Sequence, residues 1–178
     1  MRVTGHIAGA YLVTKSLLSS WSLGDQTINS TLLVLGTLSG GLPDLDYLYY
    51  AIKSRGIKFG TDFQHHKWIS HTFPFYIIPG LFFYFLGETL NASFMSMAAV
   101  VITVAATTHL LLDMIGSGDG IMWAWPFSKR MDGVFLLNVH GKEWIEAYAR
   151  HPISWVENTI VICSIVWLGF DLLQYFLK

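Results

Sequence analysis

Thr108 to Phe127 reads THLLLDMIGSGDGIMWAWPF, and it constrains the fold more than any other stretch of the chain. An apolar helix ends here with His109 and Asp113 at i and i+4, so both side chains project from one face. A glycine-rich break at Gly116, Ser117, Gly118 and Gly120 follows, and then a patch dense in tryptophan. A histidine and a carboxylate in apolar surroundings are costly unless paired, hydrogen-bonded or bound to a metal. The rest of the chain has to bring partners to them.

The surroundings are indeed apolar. Of 178 residues, 53% are hydrophobic and only 13% charged, too apolar for an ordinary soluble domain. The length suits a single domain over residues 1–178. A net charge of −1 leaves no electrostatic footprint for nucleic acid, so none is expected as a partner. Cys163 stands alone within an apolar run, which excludes a disulfide framework and a Cys-rich zinc site; inert packing is expected for it. The opening MRVTGHIAGAYLVTKSLL is interrupted by Lys15 and reads as a retained helix, not a cleaved signal peptide.

Hydropathy and breakers predict apolar helices over 5–21, 31–42, 72–86, 92–115 and 155–177, with a short helix from Asp44 to about Ser54. Gly5 with Gly9, and Gly36 with Gly40, have the small-xxx-small spacing of close helix contacts. The fold class expected is all-α: an integral membrane bundle of about five apolar helices. Residues 116–154 are polar and aromatic, suited to short helices and loops at the membrane surface. Lys53, Arg55, Lys58 and Lys67 lie between the second and third apolar segments, and Lys129, Arg130, Lys142 and Arg150 between the fourth and fifth. The turns 24–30 and 87–91 hold no lysine or arginine, so the N-terminus and both larger loops are expected in the cytoplasm.

That topology puts every unusual polar residue at one level. His6 opens the first helix, and Asp44 and Asp46 follow the second. His65, His66 and His71 precede the third, and His109 and Asp113 close the fourth. Taken singly, each has a bland alternative: His109 with Asp113 as a packing hydrogen bond, the two acids as residues favoured by a helix N-terminus, the histidines as a polar loop. Taken together they offer imidazole and carboxylate donors from four segments, enough for one or two divalent ions, zinc first and manganese the alternative. Asp44 and Asp46 face different sides of a turn, so one is expected to ligate and the other to orient or bridge. His65 and His66, being adjacent, are not both expected inward. Lys129 and Arg130 are candidates for lipid phosphate at the interface, with a plain topology determinant as the commoner role of such a pair, and His151 for a cap or loop role before the last helix.

The order His6, Leu-Pro-Asp44-Leu-Asp46, His66-Lys-x-x-Ser-His71-Thr, His109-Leu-Leu-Leu-Asp113 and Gly120…Trp125-Pro126-Phe127 resembles the YdjM-like membrane-bound metal-dependent hydrolases. That family is also labelled LexA-binding and inner-membrane-associated. Its pattern reads PDxD, HRxxTHS, HxxxD and LLWPF. Lys67, Ser70, Thr72, Trp123 and Ala124 depart from it, and the ligand positions do not. The resemblance covers roughly residues 1–130 and implies a metal-dependent hydrolase of the inner membrane. More distantly, the chain is similar to the zinc-dependent phospholipase C and single-strand nuclease group, which implies a helical multinuclear zinc site cleaving phosphodiesters. That group's later HxxxE pair has no clean match: His140 with Glu143 and His151 with Glu157 are differently spaced.

The function expected is hydrolysis of a phosphoester or phospholipid-type substrate by metal-activated water, with Asp44 or Asp46 as general base. A transporter or proton relay would require polar residues through the whole membrane depth. The helices offer little beyond Thr103, Thr107 and Thr108. A non-catalytic protein stapled by a structural metal is the third alternative.

Overall fold

A computed structural model describes residues 1–53, 65–116, 120–134 and 141–177; the side chains of His65, residues 141–145 and Tyr175 are outside that description. Arg55, Lys58, Ser117, Gly118 and His140, together with the side chains of Lys142 and Glu143 and all of Lys178, therefore lie outside the described residues.

The described residues form helices without named strands. In order these are α1 (Val3–Ser20), α2 (Gln26–Ser39), α3 (Leu45–Lys53), α4 (Phe73–Thr89), α5 (Ser93–Gly116), α6 (Gly141–Arg150) and α7 (Ile153–Phe176). Two single-turn 3-10 helices, His65–Lys67 and Ile69–His71, precede α4. Local chemistry accounts for several boundaries. Asp25 accepts a hydrogen bond from the Ile28 amide and caps α2. Pro74 occupies the first turn of α4, where its missing N–H costs nothing. Asn91, at φ 53°, turns α4 into α5 in a conformation that asparagine tolerates better than most residues. His151 Nδ1 accepts the Ile153 amide at 3.2 Å at the start of α7, the capping role its place suggested.

Two helices among the described residues are long and apolar enough to cross a membrane: α5 along Ser93–Gly116, and α7 along Ile153–Gln174. At 24 residues, α5 runs about 36 Å, somewhat more than the hydrocarbon thickness. α1, α2 and α4, at 18, 14 and 17 residues, do not meet that combined standard of length and hydropathy. α5 is the centre of the assembly. It packs against α1, α2 and α4, and α1 packs in turn against α2 and α7.

Contacts at the two ends fix the helix directions. At one end Leu18 of α1 meets Leu32 of α2 and Met97 and Val101 of α5. At the other, Tyr76 of α4 packs with Ala106 and Leu110 of α5 and with Ile121. The start of α1, the end of α2, the start of α4 and the end of α5 therefore share one end of the bundle. Glycine allows the closest approach there. A Cβ on Gly40 would stand 2.4 Å from Ala10 Cβ and 2.9 Å from the His6 carbonyl, and one on Gly36 would strike Thr14. The Gly36/Gly40 spacing is thus the seam between α1 and α2.

Cys163 is exposed on α7 rather than packed, which corrects the expectation from its apolar neighbours. The physical reason is that α7 contacts little besides α1 and α6, so its apolar residues face outward.

Candidate metal centre

Asp113 is the hub of the shared end. It is 1% exposed, one turn beyond His109, which is also 1% exposed. Asp113 Oδ2 stands 3.0 Å from His109 Nε2, 3.6 Å from His66 Nε2 and 3.8 Å from His71 Nε2. Its other oxygen, Oδ1, is 2.7 Å from the Met1 amine and 3.1 Å from His6 Nε2. Asp44 Oδ1 lies 3.6 Å from His109 Nε2 and 3.9 Å from His71 Nε2. Six of the seven sequence-predicted ligands thus fall into two groups that could each hold a metal ion: His6, Asp44 and His109, and His66, His71 and Asp113. Within each group the donor atoms lie within 4.8 Å of one another.

These donors fit a cation better than they fit each other. Ligand bonds of about 2.0–2.1 Å in a tetrahedral shell separate neighbouring donors by about 3.3 Å, close to the spacings seen. His109 Nε2, Asp113 Oδ2 and His6 Nδ1 are buried without a hydrogen-bond partner, a costly state that a metal ion would relieve. The His6 and His109 rings stack with centroids 3.6 Å apart and planes 19° from parallel. Two like charges at that separation repel strongly, so the stack suits at least one neutral, ligand-competent ring. The absence of thiolates from the cluster leaves imidazole and carboxylate, a donor set suited to zinc, manganese or iron.

Outer contacts aim the rings. His109 Nδ1 lies 2.7 Å from the Gly40 carbonyl; donating its hydrogen there leaves the Nε2 lone pair facing the cluster. Asp46 does not belong to either donor group. Its Oδ2 accepts the Ser70 hydroxyl at 2.8 Å and stands 3.2 Å from His71 Nδ1, on the side of the ring away from Asp113. The two acids are therefore placed differently: Asp44 faces the donors and Asp46 backs a histidine.

The tryptophan-rich segment supports the histidine loop. The Met122 amide donates to the His66 carbonyl at 3.4 Å, and the Phe73 amide to the Trp123 carbonyl at 2.9 Å. Trp123 Nε1 donates to Asp132 at 2.7 Å, while backbone bonds pair Ile121 with Asp132. Gly120, at φ 77°, passes so close to Asp132 that a Cβ there would lie 2.6 Å from its carbonyl oxygen. Lys129 and Arg130 are both exposed, and Arg130 is engaged by Asp132 at 2.7 Å.

A second buried polar group was not among the sequence-predicted site residues. Glu157 of α7 is fully buried; it accepts from Arg2 Nε at 2.9 Å, from Thr4 at 3.3 Å and, through a short hydrogen bond, from the Tyr148 hydroxyl. Burial first, then the hydrogen bond to Glu157 and its charge, push the Tyr148 phenol well above its ordinary range. With its oxygens committed, Glu157 is a staple between α1, α6 and α7 rather than half of a metal-ligand pair with His151. Its signal in the sequence was a carboxylate in an apolar helix, one of two there with Asp171. Lys15 makes a similar pair with Asp171 at 2.5 Å, joining α1 and α7.

Comparison with known proteins places the chain in a family. The family model described as YdjM inner membrane protein matches residues 1–175, so the chain belongs to that family. The Inner membrane protein YbcI of Escherichia coli (strain K12) is 30% identical over 107 residues, 60% of this chain and 60% of that protein. The chain therefore matches about three fifths of that relative's length. No solved structure matches. Inner-membrane placement agrees with the apolar helices α5 and α7.

Proposed function

We propose that this member of the YdjM family is a membrane-embedded metal-dependent hydrolase acting on a lipid-linked phosphoester, with zinc its first metal and manganese the alternative. The observation that supports it is the convergence of two three-residue His/Asp donor groups on Asp113 at one end of the bundle. A bound divalent ion there supplies Lewis acidity and lowers the pKa of a coordinated water towards neutrality.

The chain's own residues divide the remaining work. His109, through its Nδ1 contact to Gly40, presents Nε2 in a fixed orientation. Asp46 and Ser70 hold His71 in the same way and act as positioning residues. Asp44 has a side chain 21% exposed, against 0–10% for His6, His66, His71, His109 and Asp113, so it marks the open edge of the cluster. It is the residue best placed to accept a proton from an attacking water. Lys129 and Arg130 are assigned to the substrate phosphate at the interface.

The same reading includes the topology. α1, α2, α4, α5 and α7 form the membrane bundle, with the 14-residue α2 tilted or partly covered by protein. Lys53, Lys67, Lys129, Arg130 and Arg150 share the side of the donor cluster, and the turn at Asn91 carries no positive charge. This orients the N-terminus and the site to the cytoplasm.

The experiment is a panel of lipid phosphoesters, carboxylic esters and amides presented to purified protein in nanodiscs, with chelator and metal add-back. Hydrolysis of a phosphoester, lost with chelator and restored by zinc or manganese, is expected. Cleavage of carboxylic esters or amides alone overturns the phosphate part and keeps the hydrolase. Metal-loaded protein that cleaves nothing makes the ion a structural staple, a reading favoured by how completely five of the six donors are buried.

A further inference from the structure

α3 carries a feature that neither the fold nor the chemistry uses. Its residues Leu45, Leu48, Tyr49 and Ile52 recur at the i, i+3, i+4, i+7 spacing of one helix face. All four are exposed, at 51%, 54%, 52% and 71%. On the other side of the same helix, Asp46 is buried and bonded to Ser70. α3 is therefore amphipathic in an unusual sense: its polar anchor points into the protein and its apolar stripe points out.

Three observations identify what covers the stripe. Asp46, in the first turn of α3, is tied to Ser70 and His71, which pins this helix to the end of the bundle where α1 begins and α2 and α5 finish. At nine residues, about 13 Å, α3 is too short to cross a bilayer and has to lie along it or leave it. The residues bordering the stripe are those that populate a membrane–water boundary. Tyr49 packs against the exposed Trp68 with ring centroids 5.9 Å apart, and Lys53 Nζ sits 5.8 Å over the Tyr49 ring. A soluble protein partner would not demand a tyrosine–tryptophan–lysine border at the level of the helix ends.

We propose that α3 lies in the plane of the membrane surface with its Leu45-Leu48-Tyr49-Ile52 stripe among the lipid acyl chains. The open edge of the cluster, Asp44, immediately precedes Leu45, so it faces lipid headgroups rather than bulk water. A substrate would reach Asp44 sideways from the bilayer. This access route rests on the hydrolase reading; the depth of α3 does not.

The test places single spin labels on the full-length protein in phosphatidylethanolamine/phosphatidylglycerol vesicles. Cys163→Ser removes the exposed native thiol, and Leu48→Cys, Tyr49→Cys and Ile52→Cys report on the stripe. Glu146→Cys, exposed on the polar helix α6, serves as the aqueous reference and Leu168→Cys, on the outer face of α7, as the acyl reference. Collisional broadening by oxygen and by a water-soluble nickel chelate is measured for each, together with metal content. The stripe positions are expected to show a several-fold higher oxygen-to-nickel ratio than Glu146→Cys, approaching Leu168→Cys. A ratio equal to that of Glu146→Cys overturns the proposal. So does protection from both reagents, the mark of a stripe covered by protein, and so does short-range dipolar coupling between labels on two copies. Metal content separates the readings: metal-loaded protein with an aqueous α3 defeats only this proposal, and metal-free protein with a lipid-facing α3 defeats only the hydrolase.

Discussion

Asp46 Oδ2 stands 3.2 Å from His71 Nδ1, while His71 Nε2 faces Asp113 Oδ2 at 3.8 Å on the far side of the ring. A carboxylate behind an imidazole fixes its tautomer and raises its basicity towards whatever the other nitrogen meets. Asp44, two residues earlier, has its oxygen among the donors instead.

The two acids should therefore fail differently. Asp44→Asn is expected to remove metal from one group at any practical concentration. Asp46→Asn should keep full stoichiometry at saturating metal but bind about 10–100-fold more weakly. Competition against a fluorescent chelator measures both. Equal loss in the two variants, or the reverse order, contradicts the assignment.

Gly40 is expected to be sensitive for two reasons. An alanine Cβ there would meet Ala10 at 2.4 Å, and its backbone carbonyl is the acceptor for His109. Gly40→Ala should cost about 1–3 kcal/mol through overpacking of the α1–α2 seam, and metal affinity should fall with it. Gly169→Ala, where nothing stands within 4 Å of the new Cβ, should be neutral or slightly stabilising. Thermal unfolding in detergent compares them; equal melting temperatures would remove the steric argument.

Glu157→Ala is predicted to destabilise without touching a donor atom. It removes the buried hydrogen bond with the Tyr148 hydroxyl and releases Arg2, which is half exposed. A loss of about 1–3 kcal/mol is expected, most of it from that buried hydrogen bond. Glu157→Gln, which keeps an acceptor for the hydroxyl, should lose less. If Glu157→Gln is no more stable than Glu157→Ala, the hydrogen bond is not the cause.

Much of this arrangement was legible because helical spacing is rigid. His109 and Asp113 had to share a face, and alternating helix directions had to bring His6, Asp44, His66 and His71 near them. The division between Asp44 and Asp46 was not legible, because it depends on where Ser70 falls after a segment whose length says nothing of its path. The Gly40–His109 contact was equally hidden: a backbone carbonyl has no signature in sequence. Glu157 was visible as one of two acids in an apolar helix, yet its partners Arg2 and Tyr148 lie 155 and 9 residues away. Cys163 was misjudged because apolar neighbours mean burial in a soluble core, whereas in a helix long and apolar enough to cross a membrane they also mean an outward face.

Metal stoichiometry is the most direct measurement. Elemental analysis of purified protein should find one or two divalent ions per chain, zinc first. His66→Ala, His109→Ala and Asp113→Ala should each lower that number while the protein remains helical in detergent. Metal-free native protein after incubation with zinc and manganese, or full occupancy in all three variants, would contradict the metal centre itself.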